Sequence, residues 1–213
     1  MDKMKIGMIY QPCGLGDILF LQKLAYSMKD EGYEVYWPVV HELEKLNDYI
    51  PEFNFVSWSD KGNLLKRPPL PDNVNFPYKS SYLPETPTNK TDEFYFFQGF
   101  ANHQPVMAGK YNSIGMDWSD WRDYIKFDRN LEKEKELYYD VLGLKDDDEY
   151  ILVGNKYGTR PQVYEYNIPI PKTRAGSKII YLDILENFFI FDWCKVFENA
   201  QEVCMIETSF NYL

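Results

Sequence analysis

The chain has 213 residues, of which 45% are apolar, 26% charged and 17% aromatic, a composition that excludes a disordered tail, a collagen-like repeat and a disulfide-stapled miniature. Asp and Glu number 33 against 23 Lys and Arg, a formal charge of −10, and the basic residues do not cluster. A nucleic-acid groove or an anionic membrane surface is therefore disfavoured, whereas one small phosphorylated ligand can still be held by a local site.

The first 60 residues alternate between two periodicities. Residues 5–10 (KIGMIY) form a short apolar run with the look of a buried strand. Pro12-Cys13-Gly14-Leu15-Gly16 breaks the run, and Asp17 opens an amphipathic stretch to about residue 31. Its apolar positions Ile18, Leu21, Leu24, Ala25 and Met28 recur at helical spacing. Gly32 stands where a helix C-terminal glycine belongs. A second strand over 35–40, a helix over 41–49 and a third strand over 53–58 follow. Strand, helix, strand, helix, strand with short links is the pattern of a parallel sheet with crossover helices.

Residues 60–93 carry six of the thirteen prolines and are expected to form a long insertion. The sheet resumes at 93–97, and helices are expected over 117–124 and 131–142. In the first of these, Trp118 and Trp121 share one helix face. In the second, Leu131, Leu137, Tyr138, Val141 and Leu142 line the apolar side. The polar run 143–149 (GLKDDDE) is the expected domain boundary, dividing the chain into 1–145 and 146–213. The strand–helix alternation then restarts, with strands at 150–153, 178–182 and 203–206 and a helix at 191–199. After Ser209 only four residues remain, barely one helical turn, so the second domain is expected to be incomplete, the chain ending mid-domain.

Three cysteines (Cys13, Cys194, Cys204) make no CxxC pair, and an odd count suits a reducing compartment. The two histidines, His41 and His103, lie far apart with no Cys or carboxylate at ligand spacing, so no metal site is expected. The N-terminus has no apolar leader with a cleavage site, and no window approaches the ~18 apolar residues of a membrane span. A cytoplasmic protein with no transmembrane segment is the expectation.

The turn Gly14-Leu15-Gly16-Asp17 carries the most information. Glycine-rich turns from strand into helix often cradle pyrophosphate, but the dinucleotide fingerprint needs a third glycine where Leu19 stands. It also wants an acid at the end of the second strand, where Pro38-Val39-Val40 stands. Asp17 itself has two compatible readings. It is a helix N-cap, or a carboxylate at the C-terminal edge of a parallel sheet, able to take a proton from a hydroxyl.

Glu207-Thr208-Ser209 occupies the equivalent turn of the second half. It is either a cap or an anion site built from backbone N–H groups and hydroxyls, with Glu207 toward sugar hydroxyls or a lysine. Asn155, Lys156 and Thr159 follow the first strand of that half on the same edge. Lys156 is either a solvated loop residue or the positive charge for a departing phosphate. His103 is a further cleft candidate without an evident partner.

Two α/β halves with their informative turns on the sheet edges point to a ligand cleft between them, an expected arrangement that resembles the GT-B glycosyltransferase architecture. PCGLGDILFLQKLA at 12–25 resembles the first turn and helix of heptosyltransferase-type enzymes of glycosyltransferase family 9. VCMIETSFNYL at the end is similar to their donor-binding strand and turn, and FENAQEV to the helix ahead of it. Two positions depart from the family pattern. Lys23 stands where a proline is common, and Glu207-Thr208-Ser209 replaces the usual Asp-Thr-Gly.

The resemblance implies two Rossmann-like parallel-sheet domains, with Asp17 as the catalytic carboxylate and Glu207, Thr208 and Ser209 as the donor turn. It implies a metal-independent hexosyl- or heptosyltransferase in surface glycan synthesis. A nucleotide-sugar would be the substrate, no further cofactor would be needed, and a glycan or lipid-linked sugar would be the acceptor. Apolar surface left by a missing segment makes a homodimer an expectation. A non-catalytic nucleotide- or glycan-binding α/β protein is the competing reading, and a nicotinamide-dependent oxidoreductase a weaker one.

Overall fold

Apolar residues on both faces of a strand require cover on both sides, the hallmark of a central parallel strand. β1 (Lys5–Tyr10) meets this condition, with Gly7, Met8, Ile9 and Tyr10 buried in succession. In the computed structural model, which describes residues 5–11, 14–57, 93–96, 106–157, 164–169 and 177–206, β1 pairs in parallel with two neighbours. These are β2 (Tyr33–Val39) and β4 (Glu93–Phe96). β3 (Asn54–Ser57) adds to the far side of β2, so the first sheet has the order β3-β2-β1-β4, all parallel. Pro38 sits within β2, but β1 pairs with β2 only as far as Tyr36. Pro38 lies beyond the β1 ladder and opposite Val56 in the β3 ladder.

The expected helix over 17–31 appears as two pieces, α1 (Leu15–Phe20) and α2 (Gln22–Asp30). They meet at Leu21, whose N–H is shared between the carbonyls of Asp17 and Ile18, each at 3.1 Å. The predicted apolar stripe of Ile18, Leu21, Leu24, Ala25 and Met28 is buried. Full burial of Leu24 and Met28 contributes about 1.5–3 kcal/mol each. Gly32 closes the turn with φ +87°, a left-handed conformation that favours glycine. The helix expected at 41–49 is a 3-10 helix, His41–Asp48.

Two expectations in the middle of the chain need correction. Trp118 and Trp121 do not share a helix face, because the helix there is a single 3-10 turn, Trp121–Tyr124. Trp121 packs against Phe20 with ring centroids 4.7 Å apart, while Trp118 is 41% exposed. The helix at 131–142 starts as α-helix (Leu131–Lys135) and widens into a π turn (Glu136–Val141), closed by Leu142 N–H to Leu137 C=O at 2.9 Å. The extra residue in that turn shifts the phase of the stripe. Leu137 and Tyr138 are buried, and Leu131 and Val141 face solvent. The proline-rich stretch from 60 to 92 lies outside the described residues.

The chain falls into two compact units, Met1–Phe127 and Asp128–Leu213. The division lies upstream of the polar run at 143–149, because the Leu131–Val141 helix belongs to the second core. Its Leu137 and Tyr138 pack with Tyr150, Leu152, Ile180, Trp193 and Val196. That core underlies a second parallel sheet, ordered β8-β5-β9, of β5 (Tyr150–Gly154), β8 (Lys178–Tyr181) and β9 (Glu202–Met205). A 3-10 turn (Ile190–Trp193) runs into an α-helix (Cys194–Asn199) between β8 and β9. A short antiparallel pair, β6 (Lys156–Tyr157) and β7 (Tyr164–Glu165), follows β5. The fold is thus mixed α/β with two small parallel sheets.

Candidate functional site

In an open parallel sheet, ligands bind outside the C-terminal strand ends, where the chain switches from one side of the sheet to the other. The first sheet switches at β1, since β2 and β3 lie on one side and β4 on the other. Gln11 and the Gly14–Asp17 turn follow β1 directly. Gly14 holds the N-cap position of α1 with φ +83°. Asp17 is therefore not the cap, as one reading of the sequence had it, but the third residue of the first turn. A carboxylate there is favoured by the helix dipole.

What holds Asp17 comes from much later in the chain. A helix over Val106–Ser113, which the sequence pattern did not reveal, carries Lys110 with its side chain only 3% exposed. Its ammonium donates to Asp17 Oδ1 and to Gln11 Oε1, the latter at 3.0 Å. The next residue, Tyr111, donates to the Phe20 carbonyl of α1 at 2.6 Å, and its ring meets that of Phe20 edge-on at 5.0 Å. Burial pushes the Tyr111 phenol well above its ordinary value, so it stays a donor. Trp37 Nε1 donates to the Gln11 carbonyl at 3.2 Å, fixing the other side of the turn.

The opposite oxygen, Asp17 Oδ2, lies over Gly14, where any Cβ would collide with it. Asp17 keeps 30% of its side-chain surface exposed. The arrangement is a carboxylate held through Oδ1 with part of its surface open, a group able to accept a proton from a hydroxyl. Lys23, at the position where the resembled family carries proline, ties α2 to the segment 117–120. It bonds the Asp117 carbonyl at 2.6 Å and pairs with Asp120. Gly16 lies inside α1.

The C-terminal edge of the second sheet gathers Asn155 and Lys156. Asn155 is buried, donates from Nδ2 to Glu165 Oε1 at 3.0 Å, and leaves Oδ1 without a hydrogen-bond partner among the described residues. Lys156 Nζ pairs with Asp183 Oδ2 at 2.6 Å, both side chains partly exposed. Lys156 is thus already paired, and Asp183 would compete with any phosphate for its ammonium. An exposed pair of this kind is worth about 0–1 kcal/mol, so the exchange is inexpensive. Thr159, Glu207, Thr208, Ser209 and His103 lie outside the described residues. Among the described residues, no group of three or more His, Cys, Asp or Glu could hold a metal ion, and no helix is long and apolar enough to cross a membrane.

Of the sequence candidates, the first sheet therefore brings together Gly14, Gly16 and Asp17, and the second Asn155 and Lys156. Lys110 and Gln11 were missed. A lone lysine in the run VMAGKYNS, 93 positions from its partner, has no spacing signal and would be placed on the surface by its residue type.

No family model matches the sequence, and no curated protein is similar to it. Among solved structures, the chain is similar to one described as the glycosyl transferase family 9 from Veillonella parvula DSM 2008, with a TM-score of 0.44 and 11% identity. The match covers 85% of this chain and 64% of that one. The chain thus spans a little under two thirds of that structure's length.

Proposed function

We propose that the chain is a glycosyltransferase that moves a sugar from a nucleotide-sugar donor to an acceptor hydroxyl. The supporting observation is Asp17, a partly exposed carboxylate held at the switch point of a parallel sheet, in a turn whose sequence resembles that of the heptosyltransferase-type enzymes. In this reading Asp17 takes the proton of the acceptor hydroxyl as its oxygen bonds to the anomeric carbon. The bond from that carbon to the diphosphate breaks, and the electron pair leaves with the phosphate oxygen. In the same reading Asn155, Lys156, Thr159 and Glu207-Thr208-Ser209 are the residues that receive the diphosphate. A glycan or lipid-linked sugar is the acceptor class, no cofactor beyond the nucleotide-sugar is invoked, and the reaction serves glycan synthesis in the cytoplasm.

The test is donor turnover by the purified chain with UDP-, GDP- and ADP-linked hexoses and heptoses, read as release of nucleoside diphosphate with water as acceptor. Turnover of one donor is expected, with a loss of about 10²- to 10⁴-fold in Asp17→Asn at unchanged melting temperature. Saturable binding without any turnover would replace this reading with that of a nucleotide-binding module. Full activity in Asp17→Asn would remove Asp17 from the mechanism.

A further inference from the structure

We infer that Lys110, with Gln11, is the positioning residue of Asp17, an inference that rests on the transferase reading above. Three observations converge on it. Lys110 is almost wholly buried, yet its ammonium is aimed at the one carboxylate of the Gly14–Asp17 turn. A lysine placed merely to fill the helix's inner face would be replaced more cheaply by an apolar residue, because burying an ammonium needs a partner to offset its lost hydration. Gln11 supplies the second acceptor at 3.0 Å, so the ammonium is fixed between the end of β1 and the first turn of α1.

Tyr111 then locks the same helix to α1 through the Phe20 carbonyl. Two adjacent residues of the Val106–Ser113 helix thus grip α1 at both ends.

The consequence is a division of labour between the two carboxylate oxygens. Oδ1 is committed to Lys110, and the carboxylate cannot rotate freely about its Cβ–Cγ bond. Oδ2 stays over Gly14 and is the oxygen that takes the proton from the attacking hydroxyl. Lys110 itself touches no reacting atom; it acts through Asp17.

The experiment is a double-mutant cycle on donor hydrolysis, using whichever of the UDP-, GDP- or ADP-linked sugars the wild-type chain turns over. Lys110→Met is expected to lower kcat by about 10²-fold, the effect of misplacing a reacting group by an ångström, with KM within twofold. Lys110→Arg is expected to recover at least a tenth of the wild-type rate. In the Asp17→Asn background, adding Lys110→Met should change kcat by less than twofold, because residues acting as one unit are not additive.

A purely structural lysine would instead lower both backgrounds alike, and that result overturns the inference. So does a Lys110→Met chain that retains wild-type kcat. If Lys110→Met does not fold, Lys110→Gln, which keeps a donor toward Gln11, is put through the same cycle. Absence of turnover by the wild-type chain with every donor is a different failure. It overturns the transferase reading itself, and the positioning role with it.

Discussion

Gly14 shows how much of the site depends on single atoms. Its left-handed backbone costs a side-chain-bearing residue about 1–2 kcal/mol, and a Cβ there would also strike Asp17 Oδ2. Gly14→Ala is therefore expected to lower unfolding free energy by about 1–2 kcal/mol in urea melts and to impair donor turnover as Lys110→Met does. Gly109→Ala is the control. Gly109 has no left-handed backbone, lies within the Val106–Ser113 helix and has nothing within 4 Å of where a Cβ would stand, so alanine there should be neutral or slightly stabilising. Cys194 yields a prediction of another kind. Burial, then the nearby Glu134 carboxylate, pushes its thiol up to about 12. At pH 8 almost none of it is thiolate, so alkylation followed by mass spectrometry should leave Cys194 unmodified until the chain unfolds. Rapid modification of Cys194 in the native chain would show that its burial is wrong. At this scale the sequence was legible at Gly14, where a turn glycine is expected and the backbone is left-handed. It was illegible at Lys110, whose meaning lies in a partner 93 residues away.

The elements of the second unit are joined by charge as well as by apolar packing. Arg129 forks between Glu134, which it meets through Nε at 2.7 Å, and Glu198 on the helix Cys194–Asn199. Glu134 is buried, and it accepts a third bond from the Lys195 backbone N–H at 3.1 Å. This carboxylate therefore ties together the start of one helix and the start of another. Hydrogen bonding to Arg129 holds the Glu198 carboxyl below its ordinary range. A group whose folded pKa is lowered stabilises the fold above its unfolded pKa and loses that contribution as pH falls through the lowered value. Acid titration followed by tryptophan fluorescence should thus show the second unit loosening below the ordinary carboxylate range. Arg129→Met should move that transition to higher pH and, by leaving Glu134 buried without its cation, lower stability by about 3 kcal/mol. An unmoved acid midpoint in Arg129→Met would argue that the fork contributes nothing. Elements with regular periodicity, such as α2 and β1, were legible in the sequence. The π turn at Glu136–Val141 was not, because a widened turn shifts which residues face inward without altering the local composition.

On the scale of the whole molecule, one plan is used twice. Each unit has a parallel sheet whose first strand, β1 or β5, is flanked on both sides by later strands, and each places polar groups just past that strand's C-terminal end. Apolar runs flanked by turn residues made both sheets readable from sequence, since a strand buried on two faces cannot hide its composition. The groups past the strand ends are chemically different. The first sheet offers a carboxylate held by a buried ammonium, the second an ammonium held by an exposed carboxylate. A carboxylate suits a hydroxyl that must lose a proton, whereas a lysine suits a diphosphate that must leave. The transferase reading therefore predicts that nucleotide binding and chemistry separate by unit. In calorimetric titrations with the nucleoside diphosphate released from the active donor, Lys156→Met should weaken binding about tenfold. Asp183→Asn, which frees the Lys156 ammonium of its partner at 2.6 Å, should tighten it. Asp17→Asn and Lys110→Met should leave the same binding constant within twofold, although both cripple turnover. Opposite signs for Lys156→Met and Asp183→Asn cannot come from a general loss of stability, which would weaken binding in both. Weaker binding in Asp183→Asn would mean that Asp183 itself contacts the ligand, and would move Lys156 from phosphate recognition to a structural pair.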